Sequence, residues 1–169
     1  MEIRHIDDFL PYYRNIRLRT LRVSECIPDE QFDWTYREGK FTLGDLLRHI
    51  GAAERYMFAE NVQDRPSRYP GHGRDLGDGP REVRRFLDRT HAESMAIFAR
   101  LSDPDLQRRC TTPAGIPITT WKWLRAMVEH EIHHRGQIYL YLGMLSVPTP
   151  PLYGLTSEEV YANSVHASD

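Results

Sequence analysis

Four stretches of this chain repeat apolar residues every three or four positions, and that period confines it to packed helices. The first runs from about residue 8 to 26, with Phe9, Leu10, Tyr13, Ile16 and Leu21 on one face. Asp7 or Asp8 can cap it, Pro11 falls in the first turn, where a missing N–H is tolerated, and Pro28 lies just past its end. The second has the clearest start: Thr42 as N-cap, Asp45 at the capping-box position, and Phe41 and Leu46 placed as a hydrophobic staple. It continues to about residue 61 through Leu43, Leu46, Leu47, Ile50, Met57 and Phe58. The third opens on Pro80 and runs to about residue 101 through Val83, Phe86, Leu87, Ile97 and Phe98. The fourth starts at Thr119 or Thr120 and reaches about residue 142, with Gly143 near its end.

Between these stretches the signals are of a different kind. Residues 64–79, DRPSRYPGHGRDLGDG, hold too much Gly and Pro for regular structure and read as a loop. Residues 110–118, CTTPAGIPI, read as an extended loop or small hairpin. The prolines of VPTPPLYGLTSEEV predict an extended tail, and Thr156 with Glu159 forms a capping box for one short final helix. The expected fold class is therefore all-α: a four-helix bundle with a short C-terminal helix, one domain over residues 1–169.

Composition narrows the function classes. Hydrophobic residues are 40% of the chain, enough for a core, and the net charge of −2 argues against a nucleic-acid surface. No apolar run approaches the roughly 18 residues of a membrane span, and MEIRHIDDFL lacks a signal-peptide pattern. Cys26 and Cys110 stand far apart with no CxxC pair, so a reducing, cytoplasmic setting is expected.

Histidine is the unusual component: eight in all, three of them within residues 130–134. His130 and His134 are four apart, hence about 40° apart around the helix and one turn from each other, close enough to share one ion. They lie toward one margin of an apolar face centred on Leu124, Met127, Ile138, Leu142 and Leu145. His49 lies just outside one margin of the second helix's face, which is centred on Leu43, Leu47 and Ile50. Margins of facing helices meet at the edge of a bundle, so His49, His130 and His134 are the candidate ligands of one divalent metal ion with an open coordination position. Gln137, one turn beyond His134, is placed to support it from behind, whereas His133 is expected to face solvent. His5, His72, His91 and His166 follow no such pattern and read as ordinary polar residues.

Three segments carry a resemblance: FTLGDLLRHIGAAERYMF at 41–58, VEHEIHHRGQIYLYLGML at 128–145 and PPLYGLTSEEV at 150–160. In order and spacing the chain resembles the DinB/YfiT-like family of four-helix-bundle metalloproteins over nearly its whole length. The family's metal triad, carried over position by position, falls on His49, His130 and His134. The resemblance implies a divalent ion, zinc or nickel, a homodimer, and a small-molecule substrate. It also implies chemistry like that of metal-dependent S-transferases that use a low-molecular-weight thiol. The family's mycothiol-dependent isomerase has a further C-terminal domain for which this chain is too short.

Two function classes follow. One is an enzyme, transferase-like or hydrolase-like, in which the ion activates a thiol or water against an electrophile. The other is a stress-response or binding module whose metal is structural. The string His130-Glu131-x-x-His134 also spells the HExxH of zinc proteases. However, Leu140 stands where a metzincin has its third histidine, Glu158 as a downstream ligand would sit in the capping region of a short terminal helix, and Glu131 projects to the core. Groove-lining candidates are Tyr13, Tyr56, Trp121 and Trp123, with interface or core packing the favoured role of Trp123. Finally, Arg17, Glu54 and Glu131 occupy apolar-face positions, joined by the hydroxyls of Thr90 and Ser94. Buried unpaired charges cost several kcal/mol, so Arg17 is expected to contact Glu54 or Glu131.

Overall fold

In the computed structural model, which describes residues 2–164, the four periodic stretches form the four long helices. Helix α1 spans Ile6–Ser24. Its start is not capped by Asp7 or Asp8. The carboxylate of the distant Asp103 accepts from the Ile6 amide at 2.9 Å and meets His5 Nδ1 at 2.8 Å. Pro11 consequently falls in the second turn, on the exposed side, where water can take the freed Asp7 carbonyl.

Helix α2 begins at Leu43 behind the expected capping box, with reciprocal Thr42 and Asp45 bonds of 3.0 Å. After Leu43–Ala53 it widens into a π-helical turn, Glu54–Phe58, and closes on Ala59–Asn61. The extra residue in that turn re-phases the helix, so Ala59 and Val62 are buried with Phe58, while Met57 is only half-buried. Helix α3 spans Pro80–Phe98. A five-residue helical turn, Asp103–Gln107, leads into a small antiparallel hairpin of β1 (Arg109–Thr111) and β2 (Pro117–Thr119). Helix α4 spans Thr120–Met144, so Gly143 lies inside its last turn and Ser146 takes the left-handed conformation beyond it, at φ 56°. The short α5, Ser157–Asn163, starts on the expected Thr156–Glu159 capping box and is exposed throughout. Among the described residues no helix is long and apolar enough to cross a membrane.

Around the bundle α1 packs on α4, α4 on α2, α2 on α3 and α3 on α1. Helices adjacent in sequence, α1 with α2 and α3 with α4, are therefore diagonal, and the segments 25–42 and 99–119 cross the ends of the bundle. This ordering makes α2 and α4 neighbours and gives them a shared edge.

The core has two apolar halves. One gathers Phe9, Tyr13 and Ile16 with Phe58, Phe98, Leu124 and Met127; the other gathers Val23, Leu43, Leu47 and Ile50 with Leu87, Ile138 and Leu142. Between them, at the matching level of every helix, lies a polar layer. Arg17 Nη2 pairs with Glu54 and lies 3.1 Å from Glu131, all three at 2% exposure or less. Glu131 also accepts from Thr20 at 2.7 Å and from Tyr13 at 3.0 Å. His91 from α3 meets the other Glu54 oxygen at 2.9 Å, and Arg135 donates to the Ile16 carbonyl at 3.1 Å. Thr90 and Ser94 are buried in this layer but bond carbonyls of their own helix.

Removing one partner from such a layer strands the others at about 3–5 kcal/mol, whereas an exposed pair is worth about 0–1. Arg17→Met should therefore cost several kcal/mol in denaturant unfolding. Adding Glu54→Gln to that variant should recover part of the loss, because it removes a stranded charge. Two small, additive effects would show that the layer contributes little.

Candidate metal centre

The edge shared by α2 and α4 carries the three histidines. His49 stands one turn before the π-helical turn of α2, and His130 and His134 follow one another on the same side of α4. Each offers one ring nitrogen to a group whose atoms all lie within 4.8 Å of one another. His49 Nε2 and His130 Nε2 are 2.9 Å apart, and the His134 ring centroid is 4.5 Å from each of the other two. A zinc ion bonds imidazole nitrogen at about 2.0–2.1 Å, so ligand atoms on this spacing could surround one ion. No fourth His, Cys, Asp or Glu joins the group among the described residues.

The surroundings keep the imidazoles neutral. Burial, reinforced by His134 and His72, lowers the His49 pKa to about 4. Burial and the two other rings lower His130 to about 3, and burial lowers His134 against the opposing effect of Gln137. A neutral imidazole has a lone pair to give, so desolvation and ring clustering favour metal ligation over protonation.

Two of the rings are held from behind. His134 Nδ1 lies 2.7 Å from Gln137 Oε1, an acceptor that requires the proton on Nδ1 and so leaves Nε2 unprotonated toward the centre. His49 Nδ1 lies 2.6 Å from the Tyr69 hydroxyl. Tyr69 comes from the 64–79 loop, which is otherwise irregular apart from one turn at Arg74–Leu76. Arg48, only 1% exposed, straps that loop to α2. Its guanidinium donates to the His72 carbonyl at 2.9 Å and the Gly77 carbonyl at 3.0 Å, and pairs with Asp45 at 2.8 Å. Phe41 packs on the His72 ring at 4.2 Å and faces His49 at 5.4 Å.

The expected triad and Gln137 thus come together, and His133 is exposed outside them. Several other expectations need correction. His72 packs beside the centre and His91 is part of the buried charge layer, so these two are not ordinary polar residues; His5 is, in an exposed pair with Asp103, and His166 lies outside the described residues. Tyr13 is wholly buried on the Glu131 side, and Trp123 packs against Phe58 with ring centroids 4.5 Å apart. Neither these two nor Tyr56 or Trp121 lines the cavity of about 540 Å³ that opens at His134; its aromatic walls are Tyr36, Phe41 and Tyr141. Tyr69 and Arg48 were missed. Tyr69 sits in a loop with no period to read, and an arginine between Leu47 and His49 gives no sign of a carbonyl partner some 24 residues away. Glu131, bonded to Tyr13, Thr20 and Arg17 on the core side, is turned away from the triad and cannot serve as the base of an HExxH protease. Glu158 is exposed on α5 and stands outside the ligand group.

Comparison with known proteins agrees with this architecture. The sequence model of the DinB superfamily matches residues 12–138. YjoA of Bacillus subtilis (strain 168), itself uncharacterised, is 24% identical over 147 residues, 83% of this chain and 89% of that protein. A DinB-like protein from Bacillus cereus ATCC 10987 superposes with a TM-score of 0.74 at 18% identity, over 88% of this chain and 97% of its own. YfiT from Bacillus subtilis, described as a probable metal-dependent hydrolase with an unusual four-helix bundle topology, superposes with a TM-score of 0.68 at 18% identity, over 85% and 89%.

The depressed pKa values carry a signed consequence for the metal-free protein. Unfolding returns His49 and His130 from about 4 and about 3 to the ordinary 6.5, so between those limits the unfolded chain binds more protons. Their contribution to stability is complete above pH 6.5 and is lost as pH falls toward 4. The urea midpoint of metal-free protein should drop between pH 7.5 and pH 5, and a His49→Gln, His130→Gln double variant should show a shallower drop. Equal slopes for the two proteins would contradict the desolvated, neutral triad.

Proposed function

The chain belongs to the DinB superfamily, and on that premise we propose that it is a metal-dependent enzyme. Its His49, His130 and His134 hold one divalent ion, zinc or nickel, and a small-molecule electrophile is its substrate. The observation that carries this reading is the convergence of three half-buried, neutral imidazoles with no fourth protein ligand among the described residues. A bound ion supplies a lowered pKa to a water or a low-molecular-weight thiol in its remaining position, giving a nucleophile near neutral pH. The protein's own part is positioning. Gln137 and Tyr69 hold the far nitrogens of His134 and His49, and Arg48 fixes the loop that delivers Tyr69. A structural metal would be expected to be closed by a fourth protein donor, and none joins the group among the described residues. The description of YfiT as a probable metal-dependent hydrolase supports water as one nucleophile; the similar fold of a mycothiol-dependent maleylpyruvate isomerase supports a thiol as the other.

His49→Ala, His130→Ala and His134→Ala should each abolish stoichiometric zinc or nickel binding, while His133→Ala should keep it. Retention of metal by the His49 variant would break the three-histidine model. Tyr69→Phe should weaken metal affinity by about 10-fold or more, the usual effect of losing an outer hydrogen-bond partner. Metal-loaded protein should turn over an electrophile with water or an added thiol, and His130→Ala should be inactive. Equal activity after removal of the metal would overturn the assignment.

A further inference from the structure

The cavity of about 540 Å³ at His134 has a chemical character of its own. Gln137 and His134 stand at one part of its wall, and its other walls include Tyr36, Tyr141, Leu140 and Met144. Tyr36 and Tyr141 meet edge to face with ring centroids 5.5 Å apart. Tyr36, Leu140 and Met144 are 51%, 59% and 54% exposed, so three large apolar side chains are left to water around one concavity. Lys40 is the one lysine, arginine, aspartate or glutamate among the lining residues, so no carboxylate shares the wall. Lys40 is set in place by a tight turn in which its amide donates to the Arg37 carbonyl at 3.1 Å, with Gly39 at φ 74° in the third position. It forms no ion pair among the described residues.

We propose that this groove takes the apolar body of a small carboxylate, aryl or branched-alkyl, with its anionic group on Lys40 and its far end at the Gln137 and His134 wall. Volume, apolar walls and a single charged side chain are what a site for a small molecule presents, and the sign of that charge selects an anion. Because the groove ends on His134, its occupant lies beside the metal position. In that respect the inference rests on the metal-centre reading and names the substrate class of the same site. Polyhydroxylated ligands are disfavoured, since their hydroxyls would find few partners on these walls.

The test uses 2-naphthoate as probe, with the neutral 2-naphthalenemethanol and the cationic 2-naphthylmethylammonium as controls. Titrations are read by calorimetry and fluorescence on both metal-free and zinc-loaded protein. The naphthoate should bind the metal-free protein more tightly than either control. Lys40→Ala should weaken it about five-fold, the equivalent of one partly exposed ion pair, and should leave the alcohol unchanged. Leu140→Asp should weaken both, with zinc stoichiometry intact in each variant. Equal affinity for all three probes, or a Lys40→Ala variant that binds naphthoate like the parent protein, would overturn the proposal. So would a wild-type protein that binds no probe while Leu140→Asp converts a dimer to a monomer, because the groove would then be an interface between copies of the chain. A protein that binds naphthoate as expected but no zinc would contradict the metal centre and leave the groove assignment standing.

Discussion

The contact of Arg17 with Glu54 and Glu131 is the constraint on which the geometry of this bundle rests. Apolar stripes alone let helices slide and rotate against each other at small cost, since one leucine contact replaces another. A buried guanidinium between two carboxylates does not permit this. A register slip of one turn would separate charges that are each at most 2% exposed, and each would then lie unpaired in the core. The layer therefore ties α1, α2 and α4 to one register, and His91 extends the tie to α3. Glu54 follows His49 by five residues and Glu131 follows His130 directly, so the same registration sets where the imidazoles of α2 and α4 meet.

Helix α4 serves both sites by dividing its circumference. Consecutive residues are about 100° apart, so His130 and His134 face the edge shared with α2, while Glu131 and Arg135 face α1. The string HEIHH thus holds two separate functions: His130 and His134 belong to the centre, Glu131 belongs to the core, and His133 faces solvent. The π-helical turn of α2 falls between the level of His49 and the C-terminal end of that helix, at Glu54–Phe58. It lets one continuous helix present Glu54 to the charge layer and still bury Phe58, Ala59 and Val62 beyond it.

Much of this was legible in the sequence, and the reasons are specific. The helices were legible because apolar period and capping chemistry are local: the Thr42–Asp45 and Thr156–Glu159 boxes form as the spacing predicts. The triad was legible because His130 and His134 lie one turn apart and His49 sits at a face margin. Arg17, Glu54 and Glu131 were legible as charges on apolar faces. What escaped depends on long-range geometry. The diagonal order of the helices is set by connections with no periodic signal. The cap of α1 is Asp103, some 97 residues away. Arg48, Arg135 and Tyr69 act on backbone carbonyls or on a ring delivered by another element, and no helical wheel shows such partners. The π-helical turn shifted the period, so that Met57 packs half-buried against the core while Ala59 and Val62 lie fully inside it.

The account stands on three imidazoles from two neighbouring helices sharing one ion while a further coordination position stays free. X-ray absorption of the zinc-loaded protein reads this directly. It should show a four-coordinate ion with three imidazole nitrogens and one exchangeable oxygen at about 2.0–2.2 Å, and the imidazole scattering should fall to two rings in His49→Ala under metal excess. A sulfur shell near 2.3 Å, a fourth imidazole, or an unchanged spectrum in the His49 variant would contradict it.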